Sequence, residues 1–337
     1  MTLIKIAGSY QGLSNYPKAI ENFNQAIALQ QAAGNRLAEA EILNQLSFAY
    51  DQTRENQKAL EVLNKALTVQ KAIGDHSRVA FTLGNIAGIY NSMGDYQEAL
   101  DAHNIALTLR RSIKDRPGEG VSLNDIALVY SYLGDYQQSI DSHNLALVIF
   151  RSIGDRVQEG QTLDNIASVY RLLRDYRKAL DYYNQALAIR WVSGDKFREI
   201  ATLTGVIRTY ESLKDYPKAL EAANTALTLA RSQKSPFAEA SALALMGRVY
   251  LASGDYRKAL DASTTALKTW QQLGIRVAAA PTLDNIGKTY NAQANYQDAI
   301  ASYNDALALW RSLGAKADEV ESLYNIERGA NRSMETR

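Results

Sequence analysis

The chain has 337 residues, 46% hydrophobic and 22% charged, with a formal net charge of +1. That length exceeds what one compact core usually supports, so several domains or a repeat array is expected, and the near-neutral charge gives no electrostatic case for nucleic acid or an anionic membrane. Cysteine is absent, which removes disulfides, thiolate catalysis and Cys-based zinc sites; no apolar run approaches the ~18 residues of a membrane-spanning helix and no signal-peptide pattern follows Met1, so a cytoplasmic location is expected.

From the start the chain reads as helix, and Met1 stands where later segments are already several residues into theirs. A cap and first turn are therefore expected to be missing there. Tyrosines then recur at Tyr10, Tyr50, Tyr90, Tyr130, Tyr170, Tyr210, Tyr250 and Tyr290, one every 40 residues without an insertion. A second column runs through Tyr16, Tyr96, Tyr136, Tyr176, Tyr216, Tyr256 and Tyr296, with Asn56 in the remaining place. The two columns absorb most of the 20 tyrosines, which makes tyrosine architecture here rather than a recognition surface.

Each 40-residue unit predicts two helices of about 17 residues. In residues 75–113, Leu83, Ile86, Tyr90 and Met93 follow helical spacing, and Ala99, Leu100, Ala106, Leu107 and Ile113 do so again after Gly94-Asp95. Asp95 with Glu98, and Asp135 with Gln138, have the spacing of a capping box. Asp75, Asp155 and Asp195, each behind a glycine, are expected N-caps of the other helix. Pro17, Pro117, Pro217 and Pro236 fall in first turns, where a missing N–H is harmless. Pro281 falls inside a helix, which is expected to start late or kink. At the far end Leu323 and Ile326 keep register, but Ala330 stands where tyrosine is due and "NRSMETR" is unpatterned. Helix is expected to fray after about residue 326, leaving both ends cut and the edges free to self-associate.

Leu83, Ile86, Ala87, Tyr90, Ala99, His103 and Ala106 occupy the spacing W-x2-L-G-x2-Y…A-x3-F-x2-A, as do Leu163, Ile166, Ala167, Tyr170, Ala179, Tyr183 and Ala186. On these residues the chain resembles the tetratricopeptide repeat family over residues 1 to about 328. The 40-residue unit is similar to the long repeats of kinesin light chain, and the wording resembles bacterial arrays that precede a caspase-like CHAT domain. The resemblance implies an all-α fold, a right-handed superhelical solenoid of antiparallel helix pairs. It would hold eight full repeats plus one extra helix, with residues 1–330 as the solenoid and 331–337 as a disordered polar tail.

Little in the sequence argues for catalysis. "NIGKTY" at 285–290 imitates the end of a phosphate-binding loop, but Thr282 stands where glycine is needed. His103 and His143 share a column that in this family is an aromatic packing slot, and they are expected to pack. No metal site, cofactor or catalytic residue is expected.

At 100° per residue, positions 41, 45, 48 and 52 and their equivalents point away from the stack. In a tetratricopeptide superhelix these columns line the groove. Asparagine in the column of 45 grips ligand backbone in related arrays, which implies that role for Asn85, Asn165 and Asn285, with Asp125 in the same column; Gly205 and Leu245 interrupt it. Phe48, Phe81, Leu128, Tyr132 and Leu172 make the earlier groove apolar, and Arg208, Arg248, Lys288 and Arg328 form a cationic column later. The expected function is a non-catalytic scaffold that captures a protein or peptide segment bearing apolar anchors and acidic residues. The alternative is the sensor array of a CHAT-type peptidase whose catalytic domain lies elsewhere.

Overall fold

The computed structural model describes residues 2–335, and among them it contains 17 α-helices and no strand. The helices are α1 (Thr2–Gly12), α2 (Tyr16–Ala32), α3 (Arg36–Gln52), α4 (Asn56–Ile73), α5 (His76–Met93), α6 (Tyr96–Ser112), α7 (Arg116–Leu133), α8 (Tyr136–Ile153) and α9 (Arg156–Leu172). They continue as α10 (Tyr176–Ser193), α11 (Lys196–Ser212), α12 (Tyr216–Ser232), α13 (Pro236–Ser253), α14 (Tyr256–Leu273), α15 (Arg276–Ala292), α16 (Tyr296–Leu313) and α17 (Lys316–Glu335). Eight helix pairs and a ninth first helix result, as the repeat predicts. The chain clusters into two compact units, residues 1–169 and 170–337.

Local chemistry sets the helix starts. Asp75 accepts the Arg78 backbone N–H at 3.0 Å, and Asp195 accepts that of Arg198 at 3.0 Å. The same bond recurs at Asp115, Asp155, Asp175, Asp215 and Asp255. Asp135 caps with Gln138 N–H at 3.4 Å, and the Gln138 amide turns to the Asp135 carboxylate at 2.7 Å instead of closing a reciprocal box. Asp95 makes no side-chain cap bond, contrary to its capping-box spacing. Its third successor is Glu98, a like charge, whereas capping aspartates elsewhere face Lys178, Lys218 or Lys258, with which they form ion pairs.

Helix ends follow one rule: the residue after the last turn adopts positive φ. Glycine fills it nine times, from Gly34 to Gly314. Ser14, Arg54, Lys114, Arg174, Lys214, Lys234 and Ala294 adopt the same conformation with φ between 49° and 61°, at the steric cost of a Cβ there. Lys234→Gly should therefore stabilise the protein by about 0.5–1 kcal/mol, after the greater freedom of the unfolded glycine is subtracted. A urea melt checks this, and a lower midpoint would show that the lysine side chain contributes more than its strain costs.

In the first unit Phe23, Ile42, Leu46, Leu63 and Phe150 are fully buried; in the second, Ile207, Val249, Trp270 and Tyr303. Between helix pairs an arginine-carboxylate clamp closes the turn. Glu159, buried, accepts from Arg151 at 2.8 Å and Arg156 at 2.7 Å, and Glu119 does the same with Arg111 and Arg116.

Two expectations differ from the structure. Of the late start or kink expected at Pro281, the late start does not occur: α15 begins at Arg276 and carries the exposed Pro281 inside it. α17 runs on through Glu335, past residue 326 and through most of the segment expected as a polar tail. No proline interrupts it, and Gly329 lies where a Cβ would be 3.2 Å from Ile300 Cγ1, so the helix continues to pack on α16. Residues 336 and 337 lie outside the described residues.

Candidate functional site

In the first unit, α1, α3 and α5 turn one face toward a recess of ≈ 730 Å³. Phe48 on α3 and Phe81 on α5 line it, 48% and 56% exposed. Beside the rings Asn44 Oδ1 accepts the Asn85 amide at 3.0 Å, and the Thr82 hydroxyl lies 3.1 Å from the same oxygen and 2.7 Å from Gln70 Oε1. Arg78 closes the rim, paired with Glu41 at 2.9 Å and with Asp75. Gly88, with nothing within 4 Å of where a Cβ would stand, keeps the floor wide. The result is two aromatic surfaces next to half-buried amides, which suits an apolar side chain with its peptide backbone.

The structure brings together Phe48, Phe81 and Asn85 in this recess. Asn85 is engaged sideways through its amide nitrogen, which leaves Oδ1 for other partners. Leu128 and Tyr132 on α7 are exposed but do not line it; Tyr132 stacks on Tyr96, centroids 5.5 Å apart. Asn165 accepts from Gln161 at 3.2 Å in its own helix. Asp125 is half-buried, and burial pushes its carboxyl up to about 6, with Arg110 pulling the other way.

His103 and His143 are buried, 3% and 0% exposed. His143 Nδ1 lies 2.8 Å from Asn124 Oδ1, and the Asn124 amide donates to Thr162 Oγ1 at 2.8 Å. Since that amide nitrogen is spent on Thr162, Nδ1 carries the proton and Nε2 faces the core without an acceptor. Burial holds both imidazoles down at about 4, with Arg110 adding to the effect at His103.

In the second unit, α11, α13 and α15 line a smaller recess of ≈ 300 Å³ that includes Arg208, Arg248, Leu245 and Asn285, with Trp270 from α14. The cationic column is less uniform than its sequence. Arg248 pairs with Glu211 at 2.5 Å and Lys288 with Glu321 at 2.9 Å, while the Arg208 side chain has no hydrogen bond or ion pair among the described residues. Asn285 donates to Ser263 Oγ at 3.2 Å. Gly205, an interruption of the asparagine column, has a packing reason: a Cβ there would stand 2.4 Å from Tyr183 Cζ. Leu172, the other apolar groove candidate, is 46% exposed at the end of α9.

Sequence reasoning missed Asn44, Gln70 and Trp270, because a recess also takes residues from the neighbouring column and from the second helix of a pair. It also missed Glu211 and Glu321, whose pairing runs between repeats.

The helix pairs and their repeat find a direct counterpart in known proteins. Residues 1–72, 78–152, 122–190, 198–272 and 280–313 match the tetratricopeptide repeat. The chain belongs to the tetratricopeptide repeat (TPR) family. No curated protein matches it significantly. Among solved structures, a signal transduction ATPase with numerous domains carrying a TPR sensor, from Pyrococcus horikoshii, superposes with a TM-score of 0.62 at 22% identity over 82% of this chain. The chain spans 42% of that ATPase. A Rap protein complexed with competence and sporulation factor gives 0.56 at 16% identity, covering 98% of this chain and 100% of its own. Kinesin-light-chain TPR-like repeats of Podosopora anserina give 0.50 at 17% identity, covering 58% and 95%. At these identities the likeness is one of fold. Among the described residues of this TPR protein no helix is long and apolar enough to cross a membrane.

Proposed function

We propose that this TPR array is a non-catalytic interaction module that captures a peptide or protein segment on the faces of its odd-numbered helices. The observation that carries the reading is the first unit's recess, where Phe48 and Phe81 stand half exposed beside the Asn44–Asn85 amide pair. Rings exposed on a rigid scaffold offer area at little entropic cost, and amides fix the backbone of what docks there. In the first unit Asp125, Asn165, Leu128 and Tyr132 are further candidate contacts, and in the second Leu172, Asn285 and the cations Arg208, Arg248 and Lys288 offer a surface of their own. A sensor role within a larger signalling protein is the second reading; the ATPase whose TPR portion is described as a sensor favours it.

A random-peptide display library panned on the full chain tests the first reading. Enriched sequences should carry an apolar anchor, and Phe48→Ala with Phe81→Ala should weaken their binding by about 10-fold or more with little change in melting temperature, since both rings are solvent-facing. Peptides that bind the double variant as well as the parent would remove this recess from the reading.

A further inference from the structure

The exact repeat allows one site to be compared with its own copy. Trp310 on α16 donates its indole N–H to Asp284 Oδ2 at 2.8 Å, and Ser322 on α17 donates to Asp284 Oδ1 at 3.1 Å. One repeat earlier the same three positions hold Trp270, Ala244 and Thr282. Trp270 is 2% exposed, and its Nε1 has no acceptor among the described residues. Ala244 presents a methyl group where Asp284 presents a carboxylate. All three line the ≈ 300 Å³ recess of the second unit, with Ser241, Asn285, Arg208 and Arg248.

A buried N–H without an acceptor destabilises the folded state, and native proteins rarely keep one. Here there are two, because Arg248 Nε is also buried and unpartnered. The surrounding charge has one sign in excess. Arg208 has no ion pair among the described residues, and its guanidinium is held below its ordinary range by burial and by the neighbouring Arg248 and Arg171; Glu211, paired to Arg248, is the opposing charge. Orphaned donors, excess positive charge and a recess in place of a carboxylate share one solution.

We propose that this recess receives a carboxylate from outside the chain, the side chain of an Asp or Glu in an acidic peptide segment, at the position beside Ala244 that Asp284 fills one repeat later. It accepts from the Trp270 indole and pairs with Arg208, with Thr282 and Asn285 flanking it. The peptide as source rests on the reading of this surface given above; the carboxylate preference rests on the indole and guanidinium donors themselves.

The full chain labelled with ¹⁵N-tryptophan shows three indole N–H resonances, one each for Trp191, Trp270 and Trp310, and Trp270→Phe assigns the relevant one. Sodium acetate should move the Trp270 resonance and leave Trp310 in place, whereas sodium chloride at equal ionic strength should not. A peptide with a central Glu should bind about 10-fold tighter than its Gln counterpart, and Arg208→Gln, which removes the charge but keeps a polar side chain, should remove most of that preference. Ala244→Asp supplies the carboxylate within the chain, so it should shift the Trp270 resonance by itself and abolish the acetate response. A stationary Trp270 resonance, an equal response to chloride, or undiminished Glu preference in Ala244→Asp would each overturn the proposal. An acetate response without Glu preference would overturn the peptide as source. Peptides that bind the Phe48 and Phe81 variant as well as the parent while the acetate response persists would count against the first-unit recess alone.

Discussion

Between pH 7.5 and pH 4.5 the two buried histidines and Asp125 together should lower stability by about 3 kcal/mol, and His143→Gln should remove most of that loss. His103 and His143 titrate near 4 when folded against an ordinary value of 6.5. As pH falls through that window the unfolded chain binds protons that the folded one refuses, so stability falls, by roughly 2.5 kcal/mol for each histidine at pH 4.5. Asp125 has the opposite sign. Its carboxyl is raised to about 6, so below that pH the folded state holds a proton that the unfolded state has not yet taken, which returns roughly 2 kcal/mol. The capping aspartates Asp75, Asp195, Asp215 and Asp255 are all lowered, so their contribution disappears only below their ordinary 3.8, outside this window. His143→Gln keeps an N–H for Asn124 Oδ1 but cannot be charged. Its melting temperature followed across pH should show a slope well below that of the parent. Equal slopes would mean that the His143 ring finds an acceptor for its second proton when charged, and its burial would then not matter.

Much of this architecture is legible because it is local and repeated. A capping aspartate acts on the backbone three residues on, and a glycine or its substitute ends a helix in the turn where it stands; both recur every 40 residues and need no tertiary knowledge. The site is legible only in part. Phe48, Phe81 and Asn85 fall on the predicted face because side-chain direction follows from helical geometry alone. Arg208, Arg248 and Lys288 read as one stripe in sequence, yet they differ, since Glu211 and Glu321 reach two of them from neighbouring repeats. Reading single columns hides such pairs. It also hides Trp270, whose neighbour at Ala244 belongs to another column and whose significance emerges from the bonded copy at Trp310 and Asp284. Asp95 shows the same limit on a small scale: the spacing predicts a cap, and the charge on Glu98 opposes it.

Phe150→Ala should cost about 3–5 kcal/mol, and Gly120→Val about 1–3 kcal/mol, while the two together should cost clearly less than their sum. Phe150 on α8 is fully buried, and a Cβ on Gly120 of α7 would stand 2.7 Å from its Cζ. The ring occupies the space that the glycine lacks a side chain to fill. Removing the ring leaves a cavity, adding a side chain alone overpacks it, and doing both trades one filling for another. Urea unfolding of the three variants measures the interaction directly. The same complementarity pairs Gly205 with Tyr183 and Gly287 with Tyr303, where a Cβ would stand 2.4 and 2.7 Å from the ring. The same test therefore reaches the groove. If Gly205→Ala and Tyr183→Ala couple in the same way as the Gly120 and Phe150 pair, the interruption of the asparagine column at Gly205 is set by the space Tyr183 takes. If they simply add, the ring yields to the added methyl and packing does not fix that position.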